Sequence, residues 1–85
     1  MRFYGIHKLT EECGELLTAL GKLQVYPEGQ HPDGKGEMLP RVTDELADVL
    51  ASITYFVERN NLPHHLIYAR QTQKLQLYRD WETIT

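Results

Sequence analysis

The sequence has a single cysteine, a single tryptophan and only two phenylalanines. One thiol cannot close an internal disulfide, which fits a reducing, intracellular compartment. No apolar run approaches the roughly 18 to 20 residues needed to cross a bilayer. The N-terminal stretch Met1-Arg2-Phe3-Tyr4-Gly5 has neither the long apolar segment nor the small-residue cleavage site of a secretory signal. These absences predict a cytoplasmic protein with no membrane partner. Basic clusters are missing as well: nine Lys and Arg residues are scattered among twelve Asp and Glu, for a net charge of −3. Without a basic patch there is no electrostatic footprint for nucleic acid. A phosphorylated small molecule stays compatible, because bound cations reverse the sign of an acidic pocket.

The chain shows no low-complexity tract and no composition shift that would mark a second domain. Its 85 residues, 1–85, therefore make one small domain. A chain this short buries a thin core, so partner subunits are expected.

What is present is helical periodicity. Ile6, Leu9, Cys13, Leu16, Leu17, Leu20 and Leu23 recur at steps of three and four, which predicts an amphipathic helix from about Phe3 to Leu23. Val25 to Leu39 holds Pro27, Gly29, Pro32, Gly34 and Gly36 with few apolar residues, and predicts a loop. At roughly fifteen residues it is long for a connection between packed helices, so it is either a surface excursion or a lid over a ligand. Pro40 suits the first turn of a second helix, whose stripe of Val42, Leu46, Val49, Leu50, Ile53 and Val57 runs to about Asn60. Asn60-Asn61-Leu62-Pro63 reads as a stop and restart, with Asn61 as N-cap of a third helix from about Pro63 to Trp81. The fold class is all-α: three helices, antiparallel neighbours, completing a four-helix-type bundle through homo-oligomerisation.

The residues that carry chemistry are acidic. Glu12 and Glu15, and again Glu45 and Asp48, stand three apart and project from one side of their helices. With Leu9 at zero on a helical wheel, Glu12 falls near about −60° and Glu15 near about −120°; with Leu46 at zero, Glu45 falls near about −100° and Asp48 near about −160°. Both pairs border an apolar stripe. A single pair at helical spacing is most often a solvated surface feature. Two pairs beside facing stripes would instead crowd four negative charges into one cleft, where repulsion opposes folding unless cations intervene. A hard divalent cation answers that need, since Mg2+ takes oxygen ligands and is often held by a few carboxylates together with substrate phosphates. Glu11 or Glu15 is a candidate to orient a water or accept its proton.

These same residues resemble a known family. Leu9-Thr10-Glu11-Glu12-Cys13-Gly14-Glu15-Leu16, followed by Asp44-Glu45-Leu46-Ala47-Asp48-Val49-Leu50, looks like the EExxE and ExxD signature of the MazG-like, all-α nucleoside triphosphate pyrophosphohydrolases. The resemblance covers roughly Leu9 to Tyr55. It implies a helical bundle completed by a homodimer or homotetramer. It also implies Mg2+-dependent cleavage, with Mn2+ as a possible substitute, between the α and β phosphates of a nucleoside triphosphate. Glu12, Glu15, Glu45 and Asp48 match the family's metal ligands, and Glu11 its additional acidic position. Lys74 matches the start of a later Lys-x-x-Asn or Lys-x-x-Asp element, although Leu77 stands at its polar position.

On the third helix, Ile67, Arg70, Lys74, Leu77, Tyr78 and Trp81 share a broad face. Lys74 and Arg70 are the candidate phosphate contacts; their stems could equally cover a hydrophobic seam. None of His7, His31, His64 and His65 stands three residues after a Glu on a predicted helix, which argues against a di-iron carboxylate bundle. Cys13 reads as a small packing residue, and Tyr78 and Trp81 as aromatics that pack against a helix or partner, with stacking on a nucleobase as the alternative. A different class of function is a non-catalytic helical dimerisation module whose carboxylates pair with Arg70, Lys74 or Arg79.

Overall fold

A computed structural model describes residues 3–84; Met1 and Arg2, at the head of the N-terminal stretch read above, and Thr85 lie outside the described residues. Three helices follow one another, α1 over Ile6–Val25, α2 over Met38–Arg59 and α3 over His64–Ile84. Helix α1 therefore starts later and ends later than its periodicity predicts. Gly5, in the left-handed region at φ 82°, turns the chain into the first helical residue. Helix α2 begins two residues before Pro40, which sits in the first turn, where its missing N–H has no intrahelical acceptor to lose.

Helices α1 and α2 form an antiparallel hairpin. At one end the Asn60 side chain clasps Tyr4: Tyr4 N donates to Asn60 Oδ1 at 2.8 Å, and Asn60 Nδ2 donates to Tyr4 O at 2.8 Å. At the other end Ala19, Met38 and Val42 are buried together, with Leu16 and Leu23 packed against them. The core is as thin as the chain length implies, with Met38 alone almost fully enclosed at 1% exposure. Among the described residues there is no strand beyond an isolated bridge between Gln30 and Glu37.

Helix α2 ends in a Schellman arrangement. Leu62 N donates to Val57 O at 3.0 Å and Asn61 N to Glu58 O at 3.2 Å, with Asn61 at φ 51°. Asn61 thus closes α2, which corrects its expected role as the N-cap of the third helix. Pro63 stands just ahead of α3, its carbonyl accepting from Leu66 and Ile67, so the helix starts one residue later than expected and runs past Trp81 to Ile84.

One expected feature of the packing is absent from the single chain. Leu46, Leu50 and Ile53, on the stripe read as buried, are 47%, 63% and 38% exposed. The stripe is covered along one edge only: Val42 is buried with Met38 and Ser52, and Val49 and Val57 are half-buried. Helix α3 does not fold back onto the hairpin, and Leu66, Tyr68, Tyr78 and Trp81 on it are exposed. The radius of gyration of 16.0 Å exceeds the roughly 12 Å expected of a compact chain of this length. No helix among the described residues is long and apolar enough to cross a membrane.

Candidate metal centre

The antiparallel register explains why the two acidic motifs meet. In such a pair the numbers of facing residues add to a constant total, and Glu15 with Glu45 and Glu12 with Asp48 give the same total. Because each pair is spaced by three, reversing the direction of one helix keeps both matches. One carboxylate oxygen from each of Glu12, Glu15 and Glu45 lies within 4.8 Å of the other two. Glu12 is buried at 9% exposure, Glu45 is half-buried and Glu15 is exposed.

The electrostatics of this trio are unbalanced. Oε2 of Glu12 and Oε2 of Glu45 are buried and have no hydrogen-bond partner. The nearest counter-charge is Lys8, whose Nζ lies 3.5 Å from Glu12 Oε1 and 3.4 Å from Glu11 Oε2. Lys8 is itself more than half exposed, so its screening by water limits what it can offset. Glu11, first, and then Glu12 hold the Lys8 ammonium above its ordinary value. The charge of Glu12 in the first place, with desolvation and the charges of Glu45 and Glu11, pushes the Glu15 carboxyl above the ordinary 4.5.

Each remaining predicted residue has a definite place. Glu11, Glu15 and Glu45 line an open hollow of about 500 Å3 between α1 and α2. Asp48 is exposed and stands on the other side of Glu12, lining with it, Lys8 and Ser52 a smaller hollow of about 300 Å3. Three of the four expected ligands thus converge, and the fourth shares Glu12 from the adjacent hollow. Arg70 and Lys74 line neither hollow, because α3 leads away from the hairpin. Among the described residues, none of Arg70, Lys74 and Arg79 pairs with the four carboxylates. Cys13 is half-buried and free.

A second charged cluster was not anticipated. Asp33, in the loop between α1 and α2, accepts from Arg41 Nη1 and Nη2 at 3.1 and 3.0 Å and from Lys22 Nζ at 3.0 Å. It also accepts from Lys35 N at 3.0 Å, and its own N donates to His31 Nδ1 at 3.0 Å. Arg41 in the first place holds the Asp33 carboxyl far below the ordinary aspartate range. The loop read as an excursion or a lid is thereby fastened to both helices. Lys22 and Arg41 line the 500 Å3 hollow with Glu15 and Glu45. The signal for them lay in the helical register: Lys22 continues the Glu15 face two turns on, and Arg41 precedes Glu45 by one turn.

The donor set fits a hard divalent cation. It is all oxygen, it combines carboxylates from two helices, and it contains two buried oxygens that no group among the described residues satisfies. Matched against protein-family models, curated proteins and solved structures, the chain gives no match in any of the three.

Proposed function

We propose that the chain is a Mg2+-dependent nucleoside triphosphate pyrophosphohydrolase that cleaves between the α and β phosphates, giving a nucleoside monophosphate and pyrophosphate. The observation that carries this reading is the pair of unsatisfied buried oxygens, Glu12 Oε2 and Glu45 Oε2, within a trio of glutamates. An unpaired buried polar atom costs roughly 1–3 kcal/mol, and more when charged, so such a pair is retained where a cation completes it. The resemblance of Glu11-Glu12-Cys13-Gly14-Glu15 and Glu45-Leu46-Ala47-Asp48 to the MazG-like signature supplies the reaction class.

In this reading Glu12, Glu15 and Glu45 would hold the ion, and Asp48, beside Glu12 in the adjacent hollow, would be the fourth ligand. What Mg2+ supplies when bound is neutralisation of phosphate oxygens and a coordinated water of lowered pKa; Mn2+ can stand in for it. Glu11 and Glu15 line the open hollow that would receive the phosphate chain. Glu11, which lines the hollow outside the trio, or the Glu15 oxygen that does not touch the ion, would accept the proton of an attacking water. Water adds to phosphorus, its proton passes to a carboxylate oxygen, and the bridging oxygen leaves with the pyrophosphate.

Assembly belongs to the same proposal. The exposed Leu46, Leu50 and Ile53 of α2, with the uncovered face of α3, suit a homodimer or homotetramer in which a four-helix bundle forms between chains. In that setting Arg70 and Lys74 can approach a partner's phosphates, a placement the single chain does not provide.

The test is pyrophosphate release from a panel of nucleoside triphosphates with Mg2+ or Mn2+. Glu12→Gln and Asp48→Asn should abolish release while the protein stays folded. Failure of the parent protein to cleave any triphosphate would favour the non-catalytic dimerisation module.

A further inference from the structure

Resting on the hydrolase reading of the same hollow, we propose that Lys22 and Arg41 form its phosphate-binding end. They would grip the outgoing pyrophosphate portion of the metal-complexed chain.

Glu15, Glu45, Lys22 and Arg41 all line the hollow. The rise of the two antiparallel helices sets the carboxylates toward one pole and the cations toward the other. Along α1, Lys22 lies seven residues beyond Glu15, roughly 10 Å along the axis. Along α2, Arg41 precedes Glu45 by four residues, roughly 6 Å. A metal-bound phosphate chain has matching polarity, with a cation at one point and free anionic oxygens further along. Gly14, on the same face of α1, carries no side chain into the space, and a Cβ placed there would meet nothing within 4 Å.

Asp33 does not use up the cations it touches. A guanidinium has five N–H donors and an ammonium three. Asp33 accepts from Arg41 at Nη1 and Nη2 and from Lys22 at Nζ, one hydrogen each. Three donors on Arg41 and two on Lys22 remain for another acceptor. Two cations against one carboxylate also leave this pole net positive. Asp33 therefore acts as a backing that fixes both heads before ligand arrives, which lowers the ordering entropy that binding must offset. Arg41 spends one hydrogen of each Nη on Asp33, which leaves Nε–H and the outer Nη hydrogens for phosphate oxygens, and Lys22 adds a point charge.

Inorganic pyrophosphate with Mn2+ is the probe, and calorimetry reads its affinity without any turnover. Lys22→Met keeps the aliphatic stem and leaves the Arg41–Asp33 fork to hold the loop. It should weaken pyrophosphate binding about tenfold or more without weakening Mn2+ uptake. Arg41→Lys, which keeps the charge and loses the fork, should weaken it as well. Lys35→Met removes an equal charge from the same loop outside the hollow and should bind pyrophosphate as the parent does. The proposal is overturned if the Lys22 and Arg41 variants bind pyrophosphate as tightly as the parent, or if the Lys35 variant loses as much as they do. Were that found in a protein that takes up Mn2+ and cleaves triphosphates, this inference alone would fall. Absence of Mn2+ uptake would remove the hydrolase reading and this one together.

Discussion

Glu12 and Glu45 face each other across the seam between α1 and α2, each with a buried Oε2 that nothing among the described residues satisfies. Two ionised carboxylates with oxygens within 4.8 Å of each other repel by on the order of 3 kcal/mol at an effective dielectric near 20. That is a large fraction of the stability of a small domain. Replacing Glu45 by Gln removes one charge and gives Glu12 an amide donor. Metal-free Glu45→Gln should therefore melt several degrees above the parent, since about 1 kcal/mol moves a domain of this size by roughly 4–8 °C. The parent should gain thermal stability on addition of Mg2+ or Mn2+, and the variant should gain little. A parent melting temperature that ignores both ions would speak against the centre.

The same crowding sets a pH dependence. Glu15 is held above 4.5 in the fold, so the folded state favours its protonated form. Its contribution to metal-free stability is complete below that ordinary value and is lost as the pH rises through the raised one. A bound ion reverses the preference, because it needs the carboxylates ionised. The Mg2+-induced rise in melting temperature should be small near about pH 4.5 and grow toward about pH 7.5. Differential scanning fluorimetry at several pH values, with and without the ion, measures it; a rise independent of pH would contradict it.

Asp33 shifts in the opposite direction and acts in a different window. Its carboxyl is held well below the ordinary 3.8 by Arg41, the Lys35 backbone N–H and Lys22. The stability it contributes is complete above that ordinary value and is lost as the pH falls below it toward the depressed one. Asp33→Asn should lower stability at neutral pH and lose less than the parent between about pH 4 and pH 2. Parallel acid-unfolding curves for the two proteins would show Asp33 to be without effect on the loop.

Two glycines predict changes of opposite sign. A Cβ on Gly5 would lie 2.9 Å from Tyr55 Cδ2, and its φ of 82° is one that other residues rarely adopt. Gly5→Ala should cost about 1–2 kcal/mol and loosen the contact between the start of α1 and the end of α2. Gly21 lies inside α1 with nothing within 4 Å of an added Cβ. Gly21→Ala should stabilise by roughly 0.5–1 kcal/mol. Chemical denaturation of both variants measures these effects.

The helices and their order were legible in the sequence because apolar spacing at three and four residues is a local property. The pairing of Glu15 with Glu45 was legible for a related reason, since ExxE and ExxD at equal spacing match in antiparallel register. The burial of Leu46, Leu50 and Ile53 was not, because periodicity identifies an apolar stripe without saying whether the chain itself covers it. The orientation of Asp48 away from the trio depends on the rotation of α2 about its axis, which Met38 and Val42 set by packing on Ala19. Asp33 could not be read either. Its role depends on a Gly- and Pro-containing loop bringing it to Lys22 and Arg41, eleven and eight residues away along the chain.

The exposed stripe leads to a prediction about assembly. Leu50 at 63% exposure and Leu46 at 47% lie one helical turn apart on α2, on a flank that α1 does not cover. A fully buried leucine is worth roughly 1.5–3 kcal/mol relative to an exposed one. If the proposed bundle between chains covers this flank, Leu50→Glu places an unpaired carboxylate in its centre, where burial without a partner is strongly unfavourable. Analytical ultracentrifugation should find the parent as a dimer or tetramer and Leu50→Glu shifted toward the monomer. The substitution should leave the hairpin folded, because Leu50 is 63% exposed and is not among the residues of the core formed by Ala19, Met38 and Val42. Leu17→Glu, also exposed at 70%, tests whether the α1 flank takes part in the same contact. A parent that sediments as a monomer would leave the open hairpin and its extended α3 as the functional unit and would remove the inter-chain route for Arg70 and Lys74.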